Sequence, residues 1–155
     1  MIMLKCEPVK VLSVPIKQTA ELVDNYLIHA CPAHNPYFSY PAIDYITFRY
    51  KGGLMHKIYK YDKDNVLILD PLDNKALLPY NIHDYYLRLE SYILGRRAIN
   101  DFTKEEYRFY ILDSSDAIDL LHSPKSEFNS PRHFIYTLDE LTSGKHIVRL
   151  LSKCK

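Results

Sequence analysis

Apolar and polar residues alternate along two neighbouring stretches of this chain, residues 45–51 and 54–61. A period of two predicts a pair of β-strands, because successive side chains of a strand point to opposite faces of its sheet. Between the stretches lie Gly52 and Gly53, two of the four glycines in the sequence. A Gly-Gly pair accepts the positive φ angles of a tight two-residue turn, so the pattern predicts a β-hairpin.

The register that follows from this turn assigns each hairpin side chain to a face. One face combines cations, rings and small polar groups, with Tyr45, Thr47, Arg49 and Lys51 opposite Lys60, Ile58, His56 and Leu54. Cations and flat rings together suit nucleic acids. We therefore predict a recognition face on which Tyr45 stacks on a base while Arg49 and Lys51 contact phosphates. On the same face, His56 hydrogen-bonds a base edge and Lys60 meets a phosphate.

A simpler interpretation of this face is a solvated sheet surface, whose basic residues protect an edge strand from pairing with another chain. Both interpretations stay open on the sequence. Arg96 and Arg97 would enlarge the predicted nucleic-acid surface if the fold brought them near the hairpin.

Three segments have helical patterns. Apolar residues recur at helical spacing over residues 18–30 and predict the first helix. A second apolar stripe covers residues 85–95, where a glycine followed by Arg96 and Arg97 favours a helix C-terminus. Residues 137–140 have the spacing of a capping box, which predicts a short third helix.

Further strands are predicted at residues 9–14, 66–69, 106–112, 133–136 and 147–151. Residues 113–129 predict a polar loop with one turn of helix around residues 117–121. The elements together predict a single α+β domain over residues 1–155. Its sheet is expected to be curved and mainly antiparallel, or a partial β-barrel, with two or three helices at its ends.

The charge composition limits the kind of partner. The 155-residue chain has 20 Lys and Arg against 19 Asp and Glu, which gives a formal charge of +1. A large, uniformly basic surface is therefore excluded, and nucleic-acid binding requires a local patch. The 14 tyrosines fit strands and binding surfaces equally well.

The cysteines and the N-terminus bear on localisation. Cys6, Cys31 and Cys154 are widely spaced and odd in number, which predicts reduced thiols in a cytoplasmic protein. Charged residues soon follow the apolar start of the chain, and no apolar run reaches membrane-spanning length. We therefore expect a soluble protein that is neither secreted nor inserted into a membrane.

His29, Cys31 and His34 fall within six residues, and imidazole with thiolate suits zinc. No second cluster completes four ligands, and Pro32 restricts the backbone between them. The simpler interpretation is a helix C-terminus that enters a proline-rich connection, so we predict no metal and no cofactor. Farther along this connection, the aromatic residues Tyr37, Phe38 and Tyr40 are predicted to form part of a pocket wall.

No spacing of histidines, acidic residues or nucleophiles is typical of a catalytic site, so no catalytic residue is predicted. The chain has no GxSxG elbow, and its few glycines disfavour a P-loop or a GxGxxG turn. A metal-independent nuclease that uses His56 with Lys57 or Arg49 stays open, because histidine serves as acid or base near neutral pH.

Four segments, residues 45–50, 55–60, 107–112 and 132–136, together resemble the PUA-like group of domains, which includes the ASCH and EVE domains. The resemblance is one of pattern and extends over most of residues 9–151. It implies a small β-barrel that binds RNA or DNA, in some members by receiving a modified base in an aromatic pocket.

The residues and the resemblance together predict a small, non-enzymatic module that binds RNA, DNA or a modified base. The main alternative is a protein-interaction module, such as a small inhibitor or an accessory subunit. Tyrosine and arginine are common anchors of protein interfaces, and the near-neutral charge suits a protein partner. A small metal-independent nuclease is the third option.

Overall fold

A computed structural model describes residues 8–34, 43–128, 130 and 132–151. These residues form two compact units. The first unit contains residues 8–16, 43–59 and 117–151 without 129 and 131, and the second contains residues 17–34 and 60–116. Each unit combines separate stretches of chain, so its fold depends on contacts between residues far apart in sequence. The single domain stays a prediction.

The described helices and strands follow the chain in the order β1 (Lys10–Pro15), α1 (Ala20–Tyr26), β2 (Ile28–Pro32), β3 (Tyr45–Arg49), β4 (Met55–Tyr61), β5 (Leu67–Leu69), α2 (Tyr86–Ala98), β6 (Tyr107–Asp119), β7 (Lys125–Ser126), β8 (Phe134–Thr137), α3 (Leu138–Leu141) and β9 (Ile147–Val148). Strands β4 and β6 have residues in both units. The predicted α+β class is confirmed, because the described residues contain three helices together with parallel and antiparallel pairs of strands.

In the first unit, β1 pairs with two neighbours, parallel to β3 and antiparallel to β8. β3 in turn pairs antiparallel with β4, and β7 and β9 form a separate parallel pair. A shared core of apolar side chains lies against these strands and contains Val11, Met55, Ile58, Leu120, Phe134, Tyr136, Leu141 and Val148. Burying one such side chain contributes about 1.5–3 kcal/mol, so this core stabilises the unit.

The predicted hairpin is formed by β3 and β4, but the prediction of a two-residue turn is wrong. The Tyr50 N–H donates to the Leu54 carbonyl at 2.9 Å, so the loop consists of the three residues Lys51–Gly53. Gly52 and Gly53 have φ angles of 82° and 79°, which glycine adopts without a steric penalty.

The longer loop changes the hairpin register near the turn. Farther along the strands, Thr47 faces Ile58 as predicted. A β-bulge then shifts the pairing, so that Arg49 faces Met55 instead of His56. The alternation of residues thus predicts the pairing of the strands away from the turn, but it does not reveal the extra residue that the bulge inserts into one strand.

The second unit contains a small antiparallel sheet in which β6 pairs with β2 and with β5. Helix α2 packs its buried residues Leu89, Tyr92 and Ile93 inward. The rings of Tyr92 and Phe109 meet edge to face at 6.4 Å between centroids, which joins the helix to β6.

The predicted first helix is shorter than expected. α1 ends at Tyr26, and Leu27 adopts the left-handed conformation with φ 54°. Residues 28–30, predicted to continue the helix, belong to β2 and pair with β6. Tertiary pairing with β6 therefore outweighs the helical spacing of the apolar residues.

The predicted helix stop at Gly95 is also wrong, because α2 continues to Ala98. A Cβ atom at Gly95 would lie 2.5 Å from Leu22 Cδ2 of α1. The glycine thus allows the two helices to approach closely. Its role is packing between helices, not termination.

The polar segment after residue 112 also differs from the prediction. β6 runs to Asp119, so residues 113–119 extend a strand where a loop and a helical turn were expected. The predicted short third helix is confirmed, and Thr137 caps it, since Thr137 Oγ1 accepts a hydrogen bond from the Glu140 N–H at 3.1 Å.

Candidate nucleic-acid interface

Arg49 lies inside the first unit, although the strand pattern predicts it on an open face. Its side chain is 4% exposed, and Nη1 donates to the carbonyl and hydroxyl oxygens of Ser13 at 2.9 and 2.8 Å. Nη2 donates to the Arg132 carbonyl, and the guanidinium carbon lies 4.5 Å from the centroid of the Phe134 ring. The structure therefore gives Arg49 a structural role.

The rest of the predicted face on β3 is also covered. Thr47 is fully buried and donates from Oγ1 to the Lys57 carbonyl at 2.7 Å. Tyr45 is half-buried and packs against the apolar core of the first unit. An open basic and aromatic face is therefore not formed along β3, because both sides of this strand are packed.

Three residues of the predicted site are exposed. Lys51 lies in the hairpin loop of the first unit, and His56 follows on β4. Lys60 belongs to the second unit, where its ammonium lies 3.5 Å from an Asp116 carboxylate oxygen. The neighbouring Lys57 in the first unit is likewise 3.5 Å from Asp119.

Arg96 and Arg97 belong to α2 in the second unit. Arg96 is 8% exposed, donates to the Ala30 carbonyl at 2.8 Å and forms an ion pair with Asp101 at 2.9 Å. Its guanidinium lies 4.3 Å from the centroid of the Phe102 ring. Arg97 donates from Nε to the Pro71 carbonyl at 2.7 Å. These contacts hold both arginines against their own unit.

The predicted absence of a metal site involves His29, Cys31 and His34. His29 and Cys31 are buried in β2, whereas the exposed His34 lies 2.7 Å from a Glu106 carboxylate oxygen. Among the described residues, no group of three or more His, Cys, Asp or Glu side chains is arranged to hold a metal ion. Burial raises the pKa of Cys31 to about 11 and keeps its thiol protonated.

Tyr37, Phe38 and Tyr40, the predicted pocket wall, lie outside the described residues. The nuclease option requires His56 with Lys57 or Arg49. His56 is exposed, but Arg49 is buried and Lys57 is paired with Asp119. The structure therefore gives His56 no cationic partner from this predicted set.

A different group of polar residues meets at one side of the first unit, and we call it the basic edge: Lys51, His56, Lys125 and His146. All four side chains are exposed. Lys125 N–H donates to the His146 carbonyl at 2.8 Å, and a β-bridge joins Leu54 to Lys125. These backbone contacts bring the hairpin loop, β7 and the start of β9 together.

Both imidazoles of the basic edge contact the loop of residues 121–124. His56 Nδ1 lies 3.2 Å from Ser123 Oγ, and His146 Nδ1 lies 3.2 Å from the His122 carbonyl oxygen. Within the described part of the chain, neither ring has a hydrogen-bond partner at Nε2. Each imidazole is thus held at one nitrogen and has the other available for a ligand.

Charge is distributed unevenly between the two units. The described residues of the first unit contain eight Lys and Arg against five Asp and Glu. Those of the second contain nine Lys and Arg against thirteen Asp and Glu. The local positive charge that a near-neutral chain needs for binding a polyanion therefore lies in the first unit.

Sequence reasoning missed Lys125 and His146. Lys125 lies in a segment predicted as a loop, and His146 precedes a predicted strand. Only the pairing of β7 with β9 brings the two residues together. The positive charge of Lys125 was visible in the sequence, but its neighbours were not.

No family model, no curated protein and no solved structure matches this chain. The PUA-like resemblance therefore stays a prediction. The longest described helix, α2, has 13 residues, and none of the described helices combines the length and apolar character needed to cross a bilayer.

Proposed function

We propose that the chain is a nucleic-acid-binding module whose basic edge in the first unit contacts a single-stranded RNA or DNA. The observation that carries this proposal is that the hairpin loop, which contains the exposed Lys51, lies against β7, which contains the exposed Lys125. The loop that holds Lys51 lies beside β7, where a Cβ atom built on Gly53 would be 4.0 Å from Lys125 Cβ. Within the described part of the chain, neither lysine forms an ion pair.

The four residues of the basic edge have different roles in this proposal. Lys51 and Lys125 contact phosphates, which are the main source of affinity for a sequence-tolerant binder. His56 and His146 present Nε2 to base edges, since each ring is held through Nδ1. Arg49 acts from the interior by fixing β3 beneath the hairpin loop.

The test is fluorescence anisotropy with a labelled single-stranded oligonucleotide over a range of salt concentrations. For the double variant Lys51→Ala and Lys125→Ala, we expect weaker binding at low salt. The slope of log affinity against log salt should fall by about 1.4, because each lost phosphate contact on a single strand removes about 0.7. RNA and DNA probes of the same sequence are compared in parallel.

A matched control changes two exposed lysines of the second unit, Lys75→Ala and Lys104→Ala. This variant loses the same net charge as the first, so it should retain the affinity and the salt slope of the native protein. An equal loss in both double variants would mean that net charge decides the binding, and the basic edge would be rejected. Absence of binding by the native protein at low salt would reject the whole proposal.

A second candidate function, a protein-interaction module, is favoured by apolar side chains on the outer face of α2. Leu87 and Leu94 are 71% and 54% exposed and lie seven residues apart, so they share one face of the helix. Affinity capture with the native protein and with Leu87→Glu and Leu94→Glu tests this function. A stoichiometric partner that resists nuclease treatment and is lost with the double variant would support it, whereas identical recovery by both proteins would count against it.

A further inference from the structure

The second unit has a ladder of rings in the segment that precedes α2. The ring of His83 lies near those of Tyr80 and Tyr85, with centroid distances of 6.4 and 4.9 Å. The planes of His83 and Tyr85 are 11° apart, so these two rings are stacked. Ile82, within the same segment, is 85% exposed. Flat and apolar surface is thus concentrated in a few consecutive residues.

The hydroxyl of Tyr85, one of these ring residues, is an unsatisfied polar group. Tyr85 is 3% exposed, and its hydroxyl has no hydrogen-bond partner among the residues that the structure describes. The hydroxyl of the next residue, Tyr86, instead donates to Glu90 Oε2 at 3.2 Å. A buried hydroxyl without a partner is destabilising, so such a group is an indication of a ligand contact.

Two carboxylates act electrostatically on the same hydroxyl. Burial raises the pKa of Tyr85, and the nearby Tyr80, Asp62 and Asp84 raise this pKa further. The hydroxyl therefore stays protonated near neutral pH. Asp84 is exposed, and within the described part of the chain it forms no ion pair. Residues 76–87 contain no Lys or Arg, so no cation of this segment neutralises Asp84.

We propose that this cluster binds the side chain of an arginine or lysine from a basic segment of a partner protein. We call it the aromatic–acidic cluster: Asp62, Tyr80, Ile82, His83, Asp84 and Tyr85. A guanidinium or ammonium group suits it in three ways. The cation is attracted by aromatic faces, its N–H groups donate to carboxylates and to the Tyr85 oxygen, and its aliphatic stem packs on Ile82.

The stack of His83 on Tyr85 determines how the ligand enters. The imidazole covers one face of the Tyr85 ring, so a cation reaches that face only when His83 moves aside. His83 lies in the turn between the short 3₁₀ turn Leu78–Tyr80 and α2, where it is half-buried. This site differs from the basic edge in its unit and in the sign of its charge, so it adds a protein partner to the proposed nucleic-acid function.

The test is a titration of the full chain with the peptide acetyl-Gly-Arg-Gly-amide, followed by calorimetry and by the NMR signals of the Tyr80 and His83 rings. The matched probe replaces arginine with citrulline, which has nearly the same shape but no charge. We expect binding of the arginine peptide to be at least about five-fold tighter than that of the citrulline peptide. Equal binding of the two peptides, or none of either, would overturn the proposal.

Variants then locate the site. Tyr85→Phe and Asp84→Asn should each weaken binding of the arginine peptide by about five-fold, whereas the control Tyr86→Phe should leave it unchanged. If Tyr85→Phe raises the melting temperature without changing the affinity, the hydroxyl is only an unsatisfied interior group and the proposal is wrong. Tighter binding of free spermidine than of the arginine peptide would also overturn it, because a polyamine would then be the ligand.

Discussion

Replacement of Arg49 by methionine separates its structural role from the predicted phosphate contact. Methionine fills much of the same volume but donates no hydrogen bond. In the native protein, the guanidinium joins β3 to the Ser13 carbonyl and hydroxyl oxygens of β1 and lies over the Phe134 ring of β8. All three residues belong to the first unit, so the loss acts within one compact body.

The expected loss of stability follows from these contacts. Each of the two hydrogen bonds from the guanidinium to Ser13, and the one to the Arg132 carbonyl, contributes about 1.5 kcal/mol, and the contact with the Phe134 ring contributes about 1 kcal/mol. Relief of the desolvation of a buried cation offsets part of this total. We therefore expect Arg49→Met to lower the free energy of unfolding by about 3 kcal/mol.

Urea unfolding followed by circular dichroism measures this loss, and Lys51→Met is the matched control in the same hairpin. Because Lys51 is exposed, the control should change the free energy of unfolding by less than about 0.5 kcal/mol. Oligonucleotide affinity is measured on both folded variants. The reasoning fails if Arg49→Met keeps native stability but loses affinity as Lys51→Met does, because the guanidinium would then face the ligand.

Three further predictions concern His133, Cys31 and Gly95. Burial, and then the charge of Arg49, lower the pKa of His133 from 6.5 to about 4, so the folded state binds fewer protons than the unfolded chain between these values. The free energy of unfolding should therefore fall as the pH drops from about 6.5 to about 4, and His133→Asn should flatten this part of a pH series of urea titrations. Burial raises the pKa of Cys31 to about 11. Iodoacetamide at pH 8 should therefore modify this thiol at least about 100-fold more slowly in the folded protein than in urea, as measured by peptide mapping. Equal rates of modification would contradict the burial of Cys31. Gly95→Leu should lower the free energy of unfolding by about 2 kcal/mol, because the new side chain would clash with Leu22. The added change Leu22→Ala should recover part of this loss. No loss of stability in the single variant would refute the close contact between the two helices.

The sequence predicts local features of the fold better than long-range ones. Alternating residues around Gly52 and Gly53 identify the hairpin, and the spacing from Thr137 to Glu140 identifies the capped helix, because a few consecutive residues decide both. At Ile28, by contrast, helical spacing fails, since pairing with β6 decides the conformation. No local pattern contains that information.

The candidate site shows the same limit. Lys51 and His56 were predicted, and both are exposed. Arg49 was predicted to be exposed because it alternates with buried residues, but the second side of β3 is packed by Ser13 and Phe134, which are far away in sequence. Lys125 joins the hairpin through a bridge to Leu54 over some seventy intervening residues, a contact that requires the folded chain.

Among the described strands, β2 pairs with β6 alone, and two side chains of α2 approach its backbone at Ala30. The Ala30 N–H donates to the Tyr92 hydroxyl at 3.2 Å, and its carbonyl accepts from Arg96 at 2.8 Å. An edge strand of a sheet is a template on which another molecule can add a strand and begin an aggregate. Because side chains of α2 already bond to the N–H and the carbonyl of Ala30, a second copy of the chain cannot form hydrogen bonds to these two groups. Polymerisation by strand addition at this part of β2 is therefore disfavoured.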